Sequence, residues 1–275
     1  MPRCNRRCLF PLVLTLLAVA RGASTQFTPD EIAERPLIEE FLATADIIGA
    51  EDIGEGVTKP IRLTLRKDGR VERGVWKNPS GVLFGHWDNW TSEIAAYRMD
   101  KLLGLNMVPP TVAREYKGKR GSLQLWATVE TSLMKIIEDK IRIPDEFLER
   151  TERAKYLTRA FDSLIANEDR TQQNTLYTKD WRCILIDHSR SFLKGPEYSA
   201  QLLYGKNAKK RPLLFRRLPR AFVDRIRALT PEAVRTAVAP YLDEDAIQAV
   251  LARKILVLQE IDERIRELGE EQVLY

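Results

Sequence analysis

The rhythm of apolar and polar positions changes near residue 126. Upstream it is that of β-structure. Ile61-Arg62-Leu63-Thr64-Leu65 alternates, a Lys67-Asp68-Gly69 turn follows, and Val71 to Lys77 alternates again, which predicts a hairpin. Ile47-Ile48 and the glycines at 49, 54 and 56 predict a preceding strand and turn. Val108 to Val112 is extended, because residues before Pro109 and Pro110 are pushed out of the α region. A turn through Lys117-Gly118-Lys119 then leads to a strand over Ser122 to Trp126. One main helix interrupts this half. Thr91 reads as its cap, Ile94, Ala96, Tyr97, Leu102 and Leu103 as its apolar face, and Gly104 as its stop. The Asn, Pro and Gly residues of 78–85 read as a loop before it.

Downstream of 126 the apolar positions recur at helical spacing. A short helix is predicted from Ser132 and a long one from Pro144 to about Ile165. Three more cover roughly 219–228, 230–239 and 243–268. A separate leader helix opens at Thr28-Pro29-Asp30-Glu31, with threonine at the cap and proline at the first position, and Pro36 splits it. The pattern therefore predicts an α+β chain: residues 24–45 a leader helix, 46–126 a β-rich lobe with one main helix, and 127–275 a mainly helical lobe.

The first residues follow neither rhythm. Arg3, Arg6 and Arg7 precede an apolar run from Cys8 to Ala20, and small residues follow through Ala23 and Ser24. That is the layout of a secretory signal peptide, assigned to 1–23, and the run is short for a membrane span. The expected location is secreted or periplasmic, with no membrane span in the mature chain. Removing the segment changes the electrostatics. Lys and Arg fall from 44 to 40 against 39 Asp and Glu, so the formal charge of +5 drops to near neutrality and gives no reason to expect nucleic acid as a partner. It also removes Cys4 and Cys8, leaving Cys183 without an internal disulfide partner. Apolar content of 44% is ordinary for a chain that stands on its core. A basic cluster at Lys206, Lys209, Lys210, Arg211, Arg216, Arg217 and Arg220 reads as a solvated loop or as a holder of acidic groups.

The chemistry concentrates in Phe161 to Phe192, FDSLIANEDRTQQNTLYTKDWRCILIDHSRSF. A helix breaks into a polar loop carrying Asp169 and, five residues on, Asn174. A short hairpin then delivers Asp187 at the end of a buried-looking strand. Two carboxylates and an amide oxygen converging in this way suit a divalent cation that carries a polyphosphate. Three earlier features bear on the same chemistry. Lys77 at a strand end and Glu93 in the next helix read as an ion pair or as two solvated charges. Gly54 and Gly56, in DIGEGV, lay backbone N–H groups over phosphates or form a plain turn. Leu125-Trp126 closes the last strand before the helical half.

In this order the pieces resemble the protein-kinase-like superfamily. The wording is similar to its atypical branches: HipA-like kinases, type II phosphatidylinositol 4-kinases and the secretory-pathway kinases of the Golgi casein-kinase type. EIAAYRMDKLLGLNMVPPTV (Glu93 to Val112), NEDRTQQN (Asn167 to Asn174) and LIDHSRSF (Leu185 to Phe192) carry the resemblance, which spans about residues 46–200. It implies a two-lobed kinase-like fold and an enzyme using ATP with Mg²⁺ or Mn²⁺ to phosphorylate a hydroxyl of a protein, lipid or small molecule. Lys77 would contact the α- and β-phosphates and Glu93 orient it. Gly54 and Gly56 would cover the phosphates, and Leu125 and Trp126 border the adenine. Asp169 would accept the hydroxyl proton, and Asn174 and Asp187 would hold the metal. The alternative is a catalytically idle pseudokinase that binds nucleotide or a partner. Asp169 lacks a preceding His-Arg and Asp187 is followed by His188-Ser189, which separates the chain from conventional protein kinases.

Overall fold

The computed structural model describes residues 27–54, 58–206, 208 and 215–275. The signal-like segment, Gly56 and the basic residues Lys209 to Arg211 lie outside the described residues.

The N-terminal half is built on a five-stranded antiparallel sheet of order β1-β2-β3-β7-β6. Its strands are β1 (Asp46–Asp52), β2 (Ile61–Lys67), β3 (Arg70–Lys77), β6 (Thr111–Tyr116) and β7 (Lys119–Leu125). Alternation puts Leu63, Leu65, Trp76 and Leu123 on one face. There they meet Ile38, Phe41 and Leu42 of α2 (Arg35–Thr44) in a closed core. Each such side chain contributes roughly 1.5–3 kcal/mol on leaving water. The leader is thus part of the lobe's core. A short α1 (Pro29–Ala33) precedes it, with a capping box between Thr28 and Glu31. Gly49 is not in the turn that its glycine suggests: it lies within β1, at a bulge between Ile47 and Gly49.

Between β3 and the main helix α3 (Trp90–Leu103) the chain is not a loop. Residues 80–89 form a hairpin, β4 (Ser80–Leu83) with β5 (His86–Asn89), closed by Phe84 and Gly85 at positive φ. Its outer side chains are solvated, with Val82, Phe84 and Trp87 all exposed, so no burial pattern marks it. The α3 cap is Asn89 rather than Thr91: Asn89 Oδ1 accepts from Thr91 N at 3.0 Å. At its other end Gly104 stops the helix at φ +62.

The rest is mainly helical. It comprises α4 (Leu133–Glu138), α5 (Asp145–Ile165), α6 (Pro196–Ser199), α7 (Arg220–Ala228), α8 (Pro231–Val238), α9 (Glu244–Leu268) and α10 (Glu270–Val273). One small sheet, β10-β9-β8, completes it: β8 (Thr131–Ser132), β9 (Thr175–Tyr177) and β10 (Cys183–Leu185). A second core joins α3 to these helices, through Tyr97, Met99 and Leu103 with Phe161, Leu164, Phe222, Val250 and Ile261. No helix among the described residues is long and apolar enough to cross a membrane.

Candidate active site

The site lies where the sheet, α3 and the loops after α5 and β10 meet. β3 ends at Lys77, aimed by its pairing with β7, where Lys77 stands opposite Ser122. Gly121, next in β7, allows that approach: a Cβ there would sit 2.4 Å from Lys77 O and 2.9 Å from the Trp76 ring. Lys77 Nζ donates to Glu93 Oε1 at 2.9 Å and to Asp187 Oδ1 at 2.8 Å. The ion pair expected between Lys77 and Glu93 is therefore formed, and Asp187 joins it from across the cleft.

Burial works against the charge on Lys77, but Asp187 and Glu93 together override it and push its pKa up. Burial also raises Glu93, against the pull of Lys77. Asp187 is held low: burial opposes its ionisation, yet the ammonium of Lys77 wins. Its side chain is 31% exposed against 12% for Lys77, so the carboxylate faces the cleft. Asp187 also adopts φ +58, a left-handed conformation that a non-glycine residue holds only at a cost.

Glu93 has a second task. Its Oε2 accepts from His188 N at 2.9 Å, which ties α3 to the Asp187 loop. The His188 ring is wholly buried, edge-on to Phe161. Its Nε2 lies 2.8 Å from Arg170 Nη2. Arginine only donates, so Nε2 accepts and the ring is the neutral tautomer with its proton on Nδ1. Burial, then Arg170 and Lys77, hold its pKa well below the usual histidine range.

α5 ends at Ala166 in a left-handed cap. The loop that follows carries Asp169 and Asn174. Asp169 N donates to Asn167 Oδ1 at 3.2 Å, and Asn174 Nδ2 donates to Asp169 O at 3.1 Å. The amide nitrogen of Asn174 is thereby engaged and its oxygen is the atom left for a cation. Arg170 is the loop's buried pin. It pairs with Asp162 at 3.0 Å and donates to the carbonyls of Asn174 and Ile186 at 2.8 and 2.9 Å, so one side chain joins the Asn174 loop to the strand that leads into Asp187. Burial pushes the Asp169 carboxyl up, with Arg190 opposing that rise and Asp187 and Asp88 adding to it.

The remaining sequence candidates make contacts of their own. Gly54, at φ +73, lies at the start of the turn between β1 and β2, its N donating to Asp52 Oδ1 at 2.9 Å. Leu125 ends β7 and donates to Pro110 O, and Trp126 donates to Arg73 O with its ring under the Arg62 guanidinium. In the basic cluster, Lys206 pairs with Glu263, Arg217 with Glu149 and Arg220 with Glu270. Sequence reasoning missed Arg170, Asp162, His188, Arg190 and Asp88. An Asp-Arg pair inside the loop was the one visible signal for Arg170; the others act through partners that only the fold brings together, from eight to 102 residues apart.

No family model matches the chain, and no curated protein matches it. Solved structures do. The chain is similar to hydra Fam20 with sugar at a TM-score of 0.63 and 17% identity, over 90% of this chain and 94% of that one. It is similar to the Golgi casein kinase at 0.64 and 16%, over 91% of this chain and 80% of that one. The same figures hold for the Golgi casein kinase with Mn/ADP bound. The fold is kinase-like. The two-lobed architecture and the resemblance to the secretory branch of atypical kinases thus hold at the level of fold. Within a kinase-like fold, the β1–β2 turn, the lysine-bearing strand, the glutamate-bearing helix and the two acidic loops follow one another in the order that the sequence resemblance implies.

Proposed function

We propose that this chain is an ATP- and divalent-cation-dependent phosphotransferase that moves the γ-phosphoryl group to a hydroxyl. The carrying observation is Lys77, held at once by Glu93 and Asp187 at 2.9 and 2.8 Å. The pair presents an ammonium and a carboxylate side by side on the cleft, as binding of a metal-bound polyphosphate requires. The donor set fits Mg²⁺ or Mn²⁺: Asp187 and the amide oxygen of Asn174 are hard ligands, too few for a protein cage. Accordingly, no cluster of three His, Cys, Asp or Glu suited to a metal exists among the described residues. Such a cation, when bound, neutralises charge on the transferring phosphoryl group.

The chain's own residues do the rest. Lys77 would hold the α- and β-phosphates, with Glu93 fixing its direction. Gly54 and Gly56 would lay the β1–β2 turn over them, and Leu125 and Trp126 would flank the base. Asp169 would take the proton as the acceptor oxygen bonds to phosphorus and the bond to ADP breaks. The signal-like N-terminus and the Golgi origin named for two similar structures support action outside the cytoplasm, secreted or periplasmic. Residues 46–126 and 127–275 would form the two lobes.

The test is calorimetric titration of Mg–ATP and Mn–ATP into the full chain, with Asp187→Ala alongside. Metal-dependent binding that the substitution abolishes is the expected result. Absence of binding under either metal would leave a kinase-shaped partner-binding module as the better account.

A further inference from the structure

The proposed phosphotransfer reading uses Asp169 but does not say what aims it. The β4–β5 hairpin supplies a candidate, by way of a buried carboxylate. Asp88 is 1% exposed, and a carboxylate at that depth is costly unless fully paired. It is fully paired. Ser189 Oγ donates to its Oδ1 at 2.8 Å, and Arg190 Nε lies 3.2 and 3.1 Å from its two oxygens. The guanidinium is a rigid planar fork, so fixing Nε fixes where its other nitrogens point. Nη1 comes to 3.5 Å from Asp169 Oδ2.

The backbone repeats the connection. Asn89 N donates to Ser189 O at 2.9 Å, and Glu168 N, beside Asp169, donates to Arg190 O at 3.3 Å. Hairpin, Asp187 loop and Asp169 loop are therefore joined at one residue.

We infer that Arg190, held in place by Asp88, is a positioning residue that fixes the rotamer of Asp169. The hairpin is then a working part of the active site. This rests on the phosphotransferase reading for its catalytic meaning, while the contact itself is testable without turnover.

Two measurements on the full chain separate them. The first follows the Asp169 Cα–Cβ proton couplings by NMR in wild type, Arg190→Ala, Arg190→Lys and Asp88→Asn, with no nucleotide present. One Asp169 rotamer is expected in wild type and averaged couplings in all three variants. Millimolar guanidinium should restore the single rotamer in Arg190→Ala, which also shows that the variant is folded. The second measures Mg–ATP hydrolysis, with water as the acceptor. Arg190→Ala should lower kcat by about 10²-fold, the order of loss expected from a misplaced catalytic group, with KM for ATP unchanged. Unaltered Asp169 couplings in Arg190→Ala would overturn the inference. So would a loss expressed in KM alone. A wild type that hydrolyses no ATP would count against the phosphotransferase reading, and the couplings would still decide whether Arg190 sets Asp169.

Discussion

Lys77 is the residue on which the site's electrostatics turn. It is one cation between two carboxylates, one of them, Glu93, almost wholly buried. Lys77→Met leaves Glu93 and Asp187 facing each other without it. Breaking a buried pair in this way costs about 3–5 kcal/mol. Urea denaturation should show a loss of that order, and Glu93→Gln in the same chain should recover part of it. A double variant as unstable as the sum of the singles would mean that the pair contributes no coupling. Asp169→Asn behaves differently. It should leave Mg–ATP affinity in place and lower turnover by roughly 10²–10⁴-fold, the share general bases usually supply. Equal loss of nucleotide binding in Asp169→Asn and Asp187→Ala would refute the division of roles.

The helix α3 shows how an element carries a constraint from one end to the other. Its first turn holds Glu93, and its last holds Asp100, which accepts from Met107 N and Val108 N at 2.7 and 3.1 Å. Burial pushes Asp100 up to about 6, against the pull of Arg35. The folded state therefore binds this proton more tightly than the unfolded chain, whose aspartates titrate near 4. Stability from Asp100 is greatest at acid pH and falls as pH rises through the window from about 4 to about 6, by up to about 3 kcal/mol. Comparing wild type with Asp100→Asn across that window isolates it: the difference in unfolding free energy should slope between those limits and be flat above. Just beyond, Gly104 stops the helix at φ +62, and a Cβ there would meet the Arg225 guanidinium at 1.1 Å. Gly104→Ala should cost at least about 1 kcal/mol in a thermal melt, since it adds a left-handed non-glycine to a displaced arginine.

Most helix ends were legible because caps are local, although α3 is capped by Asn89 and not by Thr91. Thr28, Ser132, Thr230 and Gly104 announce their helices within four residues. The alternation of 61–77 announces β2 and β3 in the same way. The order of Lys77, Glu93 and Asp187 was also readable, since each stands at the end of a recognisable element. The β4–β5 hairpin was not: it has four-residue strands, two glycines and apolar side chains turned to solvent. Nor were Arg190 with Asp88, 102 residues apart, or Arg170 with Asp162, whose pairing depends on folded geometry rather than spacing.

At the scale of the molecule, α9 braces the site from behind. Arg253 is fully buried in it, and burial lowers its pKa to about 9. Its Nε donates to Leu164 O at 2.8 Å, and Nη1 donates to Leu193 O and Tyr198 O at 3.0 and 3.2 Å. It thus ties down the end of α5, just before the Asp169 loop, and the segment just after Phe192. Arg253→Met leaves the buried Leu164 carbonyl and two part-buried ones without that donor, and an unsatisfied buried acceptor costs about 1–3 kcal/mol. The variant should melt well below wild type and lose turnover with it. A variant that melts lower yet keeps full kcat would show that the brace serves stability alone.

The contact between Lys77 and Asp187 has a consequence for the order in which ligands arrive. A bare divalent cation approaching Asp187 meets an ammonium 2.8 Å from the oxygen it needs, and like charges at that range repel. A cation already chelated by a triphosphate brings its own counter-charge, and it gives Lys77 a new anion to follow. Metal and nucleotide should therefore enter as one species. Added singly, neither should saturate at concentrations where the pair does, and an excess of free metal should gain nothing.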